Sequence, residues 1–263
     1  MKRLLVPRLD GQLSVLEAGK GPVVLALPGI TCPADAWADL AGRLAAHDRR
    51  VLVLDQRGRG HSTVTEGGYG LDELADDVLA VLSELELADV VLFGHSMGAL
   101  VAARAATEAA RRRWPGIVRL LLADPPLCRD GRPYPTPLAG YLDLVRRARS
   151  GTLTSDEVAR RHPAWTSAEP WLTALPSCEE AAITAAHRDF HDGRFLSQWP
   201  SLRAELLYGE RSDVVTAQDA ALLRHANPRS TVRAVPGCGH MIPFERPDEL
   251  AREVAHAFRE VHT

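Results

Sequence analysis

Residues 94–98 place a serine between two glycines, in the order Gly94-His95-Ser96-Met97-Gly98. This segment follows a short apolar run at 90–93 and precedes an alanine-rich helical pattern at 97–110. A G-x-S-x-G sequence between a strand and a helix is typical of a sharp turn that exposes a nucleophilic hydroxyl. The start of the helix also offers N–H groups and a positive dipole end to a developing oxyanion. The pattern therefore predicts that Ser96 is a nucleophile.

A serine hydroxyl is a weak nucleophile until a base removes its proton, so a histidine is needed beside Ser96. His240 lies in the glycine-rich segment 237–241, which follows the apolar run at 231–235 and precedes the last helical pattern. The chain has 10 histidines, and none of the others follows the last predicted strand in a glycine-rich loop. We therefore expect His240 to act as the general base.

The carboxylate that orients this histidine has two candidates. Asp213 follows the apolar run at 206–208 and preserves the chain order serine, acid, histidine that accompanies this serine turn. Asp124 follows the run at 118–123, and a carboxylate at a neighbouring strand end can reach the same imidazole nitrogen. The residue pattern favours Asp213 slightly and leaves both candidates open.

The oxyanion that forms during attack requires two N–H donors. Met97, directly after the serine, supplies the first, and the loop at 28–31 supplies the second. Within that loop Pro28 has no N–H and Gly29 permits a close approach, so we predict Ile30 as the donor. The other glycine-rich loop, at 55–62, lacks the spacing of a phosphate-binding loop and is interpreted as scaffolding.

The elements that must position these residues follow from the hydrophobic pattern. Residues 3–9 and 12–17 predict a hairpin, because Asp10-Gly11 tolerates the positive φ of a tight turn. Six short apolar runs then alternate with helical patterns, namely 23–27, 51–54, 90–93, 118–123, 206–208 and 231–235. Such runs are typical of parallel strands buried on both faces. The predicted fold is therefore α/β, a mostly parallel eight-stranded sheet with helices on both faces.

A stretch rich in proline, arginine and tryptophan interrupts this alternation after the sixth strand. We expect residues 126–200 to form a helical cap, and residues 1–125 and 201–263 to form the core domain. A cap at this position would cover the strand ends, where open α/β sheets place their ligands.

Composition and charge narrow the class of protein further. The chain is 46% hydrophobic and 25% charged, as is usual for globular proteins, and its net charge of −3 favours neither nucleic acid nor an anionic membrane as a partner. The four cysteines form no C-x-x-C pair, so we expect no metal and no cofactor. No apolar signal segment or membrane span appears, which predicts a cytoplasmic monomer or homodimer that acts on a small molecule.

These motifs resemble the α/β-hydrolase superfamily along nearly the whole chain, through 28–29, 55–62, 94–98, 209–213 and 239–240. A closer resemblance, to the N-formylmaleamate deformylases and the acetamidomethylene succinate hydrolases, rests on 27–33, 54–60, 94–99, 124–126, 132–135 and 239–243. It implies hydrolysis of an amide C–N bond on a small dicarboxylate, without a cofactor. It also implies that the triad acid is Asp124, from which this chain departs by carrying a further acid at Asp213.

A carboxylated substrate requires cations, and the predicted cap supplies Arg129, Arg132 and His191 as substrate-binding candidates. Two other functions compete with this interpretation. A carboxylesterase or lactonase would use the same residues on an uncharged ester, and preference for p-nitrophenyl esters would favour it. A ligand receptor or scaffold would keep the fold with little turnover, and it would not react with a fluorophosphonate.

Overall fold

Runs of valine and leucine form one eight-stranded sheet, because such residues pack well on a buried, pleated surface. The computed structural model of the chain describes residues 1–114, 116–129 and 131–257. Its strands are β1 Lys2–Arg8, β2 Gly11–Ala18, β3 Val23–Leu27, β4 Arg50–Asp55, β5 Val90–His95, β6 Ile117–Ala123, β7 Glu205–Gly209 and β8 Thr231–Val235. They lie in the order β1-β2-β4-β3-β5-β6-β7-β8, which confirms the predicted eight-stranded sheet.

The sheet is parallel except at one side. β1 and β2 form the predicted antiparallel hairpin, and β2 also pairs antiparallel with β4. The remaining neighbours, from β4 through β3 to β8, are parallel. The carboxyl ends of these parallel strands therefore meet at one edge, where ligand sites of such sheets form.

Helices cover this sheet at its centre, where every residue of β5 is buried. In chain order they are α1 Ala38–Ala45, α2 Leu71–Glu84, α3 Met97–Arg111, α4 Leu138–Arg149, α5 Ser155–Arg161, α6 Glu169–Ala174, α7 Glu180–Asp189, α8 Arg194–Gln198, α9 Ala217–Ala226, α10 Ile242–Glu245 and α11 Pro247–His256. α1 packs against α11, and α2 packs against α3. Among the described helices, none combines the length and apolar character that crossing a membrane requires.

The helices α4 to α8 lie between β6 and β7, and we call residues 126–204 the insertion. The insertion contacts the rest of the protein through the indole of Trp171, which donates to the carbonyl of Thr31 at 3.0 Å. The N–H of Thr166 likewise donates to the carbonyl of Phe244 at 2.9 Å. The division into a core and a cap at 126–200 stays a prediction, and residues 258–263 of that predicted core lie outside the described residues.

Candidate active site

Ser96 occupies a strained turn between β5 and α3. Its φ is +53° and its ψ is −124°, a conformation that L-residues rarely adopt and that marks functional turns. The turn is possible because α3 begins against β3: a Cβ on Gly98 would lie 1.9 Å from the carbonyl oxygen of Leu27. Only glycine fits there, and this explains the second glycine of the motif.

His240 reaches Ser96 from the far side of β7. It lies in the loop after β8, and this loop crosses β7 at close range, since a Cβ on Gly209 would lie 2.1 Å from the carbonyl oxygen of Gly239. The approach brings His240 Nε2 to 3.0 Å from Ser96 Oγ. The two residues that the sequence separates by 144 positions therefore form a hydrogen bond.

Asp124 supports the other side of the imidazole. It directly follows β6, is fully buried, and its Oδ2 lies 2.7 Å from His240 Nδ1. The Ser212 hydroxyl donates to the same oxygen at 2.6 Å, and the Gly209 N–H donates to Oδ1 at 2.9 Å. Burial raises the pKa of Asp124, while the hydrogen bonds from His240 and Ser212 oppose that rise. Because a carboxylate only accepts, Nδ1 carries the proton and Nε2 is left to accept from Ser96.

Asp213, which the residue pattern favoured, does not contact His240. Its side chain is exposed, and its backbone carbonyl accepts a hydrogen bond from Arg132 at 3.3 Å. The adjacent Ser212 is buried and turns toward Asp124 instead. Neighbouring residues of this turn point in opposite directions, so the loop after β7 contributes a hydroxyl and not the carboxylate.

His95 holds the backbone of the histidine loop. Its Nε2 lies 2.9 Å from the carbonyl oxygen of His240 and must carry the proton, since a carbonyl only accepts. Burial and the neighbouring His240 lower the pKa of His95 to about 3, so this ring stays neutral. The middle residue of the serine motif thus positions the loop that carries His240.

The loop at 28–31 is fixed at every carbonyl. These oxygens accept from the side chain of Gln56 at Pro28 (2.8 Å), from the N–H of Cys32 at Gly29 (3.1 Å), from Arg59 at Ile30 (2.8 Å) and from Trp171 at Thr31 (3.0 Å). Among the described residues, no acceptor takes the N–H of Ile30 or of Met97. Both N–H groups are therefore available to an oxyanion.

Two of the three cations predicted to bind substrate are already paired with a carboxylate. Arg129 and Arg132 both pair with the buried Asp219 of α9, and His191 is exposed on the insertion. Burial acts to raise the pKa of Asp219, but its hydrogen bonds to Thr216 and both arginines lower it to about 2. None of the three candidates hydrogen-bonds to Ser96 or His240. The sequence could not show this, because Asp219 is 87 residues from Arg132.

Tyr134 contacts the catalytic candidates, although it belongs to none of the motifs that predicted them. Its hydroxyl lies 3.3 Å from His240 Nε2, the atom that also faces Ser96, and its ring packs against Tyr141 and Phe190. Burial, with Tyr141 beside it, raises the pKa of Tyr134 well above its usual value, so the hydroxyl remains protonated. The segment 132–135 carried part of the family resemblance, but nothing in its sequence specified contact with the histidine.

Comparison with known proteins agrees with this architecture. A family model described as the alpha/beta hydrolase family matches residues 23–253. N-formylmaleamate deformylase of Pseudomonas putida strain KT2440 is 39% identical over 233 residues, which span 86% of this chain and 85% of that protein. 2-(Acetamidomethylene)succinate hydrolase of Mesorhizobium japonicum is 28% identical over 265 residues, which span 93% of this chain and 90% of that protein.

A solved structure gives the same result in three dimensions. The crystal structure of the N-formylmaleamic acid deformylase from Pseudomonas putida S16 superimposes with a TM-score of 0.85 at 31% sequence identity. The match covers 97% of this chain and all of that one. The predicted resemblance is confirmed.

Proposed function

Since the chain belongs to the α/β-hydrolase family, we propose that it is a serine hydrolase that cleaves an amide C–N bond of a small carboxylated substrate, as in N-formylmaleamate. The observation that carries the proposal is the hydrogen-bonded series from Ser96 through His240 to Asp124. The 39% identical relative, by its name, supports the amide and the carboxylated substrate.

In this mechanism Ser96 Oγ attacks the amide carbonyl while its proton moves to His240 Nε2. The new oxyanion accepts hydrogen bonds from the N–H groups of Ile30 and Met97. The imidazolium that forms is stabilised by the buried Asp124 carboxylate. His240 then gives its proton to the leaving nitrogen, the C–N bond breaks, and an acyl-enzyme remains on Ser96.

Water completes the reaction by the same steps. His240, now neutral, removes a proton from water, and the resulting hydroxide attacks the acyl-enzyme carbonyl. Collapse of the second tetrahedral intermediate returns the proton to Ser96 Oγ and releases the acid. Each proton that leaves an oxygen is taken up by Nε2, so one imidazole serves both half-reactions.

The substrate class is tested by comparing an amide with an ester. We expect kcat/KM for N-formylmaleamate to exceed that for p-nitrophenyl acetate by roughly tenfold or more, because binding of the carboxylated part is used in the transition state. Product release is followed by absorbance for the ester and by chromatography for the amide. The reverse preference would identify a carboxylesterase or lactonase with the same catalytic residues.

Tyr134 is proposed to hydrogen-bond the leaving group, because its hydroxyl lies beside the nitrogen that protonates that group. Tyr134→Phe keeps the ring contacts and removes the hydroxyl. We expect kcat on the amide to fall by about 10-fold to 100-fold, and kcat on p-nitrophenyl acetate to fall far less, since p-nitrophenolate departs without protonation.

The matched control is Tyr69→Phe, which removes a buried tyrosine hydroxyl that bonds to the backbone of Thr65 and not to Ser96 or His240. We expect this variant to show no difference between the amide and the ester. Equal losses on both substrates for Tyr134→Phe would mean that the hydroxyl only supports the geometry of His240.

A further inference from the structure

Arg59 is a fully buried arginine in the loop after β4. Its side chain is 1% exposed, and among the described residues its guanidinium contacts only neutral acceptors. These acceptors are the carbonyls of Ile30 at 2.8 Å, Arg57 at 3.1 Å and Ala182 at 3.3 Å, and the sulfur of Met97 at 3.5 Å. Each guanidinium nitrogen thus has at least one acceptor, but none of these acceptors compensates the positive charge.

The contrast with Arg57, two residues earlier, is sharp. Arg57 pairs with the buried Asp77 through two bonds of 2.6 Å and with Asp10 at 2.9 Å. No carboxylate of the described residues pairs with Arg59. The nearby thiols of Cys32 and Cys178 do not supply a negative charge either, because burial raises the pKa of both.

Burying an unpaired charge is expensive, because the lost hydration is not repaid by an oppositely charged partner. Arg59 contacts Ile30 and Met97, the two residues whose N–H groups form the proposed oxyanion hole. A negative charge appears at that hole only during the reaction. The missing counter-charge of Arg59 is therefore present in the tetrahedral intermediate and absent in the resting enzyme.

We propose that Arg59 is a positioning residue of the oxyanion hole, whose hydrogen bond to the Ile30 carbonyl fixes the loop that carries the Ile30 N–H and whose buried charge stabilises the oxyanion. This inference rests on the proposed function, since it requires a tetrahedral intermediate on Ser96. It assigns a role to the loop at 55–62, whose sequence alone indicates scaffolding.

The expected size of the effect follows from distance. Bond lengths place the oxyanion roughly 7 to 9 Å from the guanidinium, counting from the 2.8 Å contact with the Ile30 carbonyl. At the effective dielectric constant of about 20 that fits protein sites, a unit charge at this range changes a rate by roughly 10-fold to 100-fold.

The experiment compares Arg59→Met with Arg59→Lys, after thermal melting has shown both to be folded. Phenylboronic acid serves as the probe, because boron gains a bond to Ser96 Oγ, the serine proton passes to His240, and the adduct carries a negative charge. We expect Arg59→Met to lower kcat and boronate affinity by the same 10-fold to 100-fold factor, with KM changed less than about threefold. Arg59→Lys, which keeps the charge, should lose less of both.

Equal losses for methionine and lysine, or boronate affinity and kcat within twofold of wild type in folded Arg59→Met, would overturn the role of the charge. If Arg59→Met does not fold, Arg59→Gln takes its place, and losses equal to those of Arg59→Lys would again overturn the proposal. Failure of the proposed function has a different signature: wild type would bind phenylboronic acid no better than Ser96→Ala does.

Discussion

Ser96→Ala is expected to lower kcat on N-formylmaleamate by roughly 10⁶-fold, the order of magnitude found when the serine nucleophile is removed from another hydrolase. The substitution deletes one oxygen and keeps the N–H groups of Ile30 and Met97. Residual turnover above the uncatalysed rate should therefore remain, through oxyanion binding alone. The measurement is kcat under saturating substrate, with thermal melting to show that the strained turn at φ +53° is still folded.

A control separates loss of the nucleophile from loss of any hydroxyl. Ser197 is exposed on α8 and its hydroxyl donates only to the carbonyl of Arg194, so Ser197→Ala should retain kcat within twofold. Wild type should gain the mass of one fluorophosphonate adduct, and Ser96→Ala should gain none. A Ser96→Ala enzyme with more than about a tenth of the wild-type rate would reject the acyl-enzyme mechanism and revive the receptor or scaffold interpretation.

The sequence predicted those parts of the fold that depend on local patterns. Buried parallel strands appear as short apolar runs, so the run at 206–208 identified the strand Glu205–Gly209 to within one residue at each end. The serine turn was predictable for a similar reason. Its two glycines are required by backbone that lies within five residues along the chain or at the end of the neighbouring strand β3. Ser96 and His240 each lie in such a segment.

Parts of the site that depend on non-local packing could not be predicted. Whether Ser212 or Asp213 turns inward depends on which other segments hold the loop after β7 in place. One such contact is the hydrogen bond from the N–H of Arg211 to the carbonyl of Cys238, in the loop after β8. No periodicity within the loop encodes that contact. The residue pattern therefore favoured the acid that does not contact His240, and the family resemblance, which implied Asp124, matches the contact in the structure.

The sequence also could not predict which cations are free to bind a substrate, for a related reason. Arginines counted along the insertion suggested a cationic pocket, yet Asp219 of α9 pairs with two of them. Arg59, in a loop interpreted as scaffolding, is the buried cation that contacts Ile30 and Met97. The sequence shows which residues are charged. Which partner each charged side chain has, and whether it is buried, depends on the folded structure.

Asp124→Asn is expected to lower kcat by roughly 10³-fold to 10⁴-fold with a smaller effect on KM, as seen when the triad acid of another serine hydrolase is made an amide. Asp124 Oδ2 accepts from both His240 Nδ1 and the Ser212 hydroxyl, so the carboxylate fixes the tautomer in which Nε2 can accept the serine proton. In Asp124→Asn, the NH₂ group of the amide is a hydrogen-bond donor that can face His240 Nδ1 in place of a carboxylate oxygen. The imidazole then favours the tautomer that cannot act as a base toward Ser96.

Asp213→Asn is the matched control, because it makes the same chemical change at an exposed carboxylate 89 positions further along the chain. We expect its kcat and KM to stay within twofold of wild type. A large loss at Asp213 with little at Asp124 would mean that the loop after β7 rearranges in the working enzyme to bring Asp213 to His240. Losses at both would mean that each carboxylate serves one half-reaction, which single-turnover measurements of acylation and deacylation would separate.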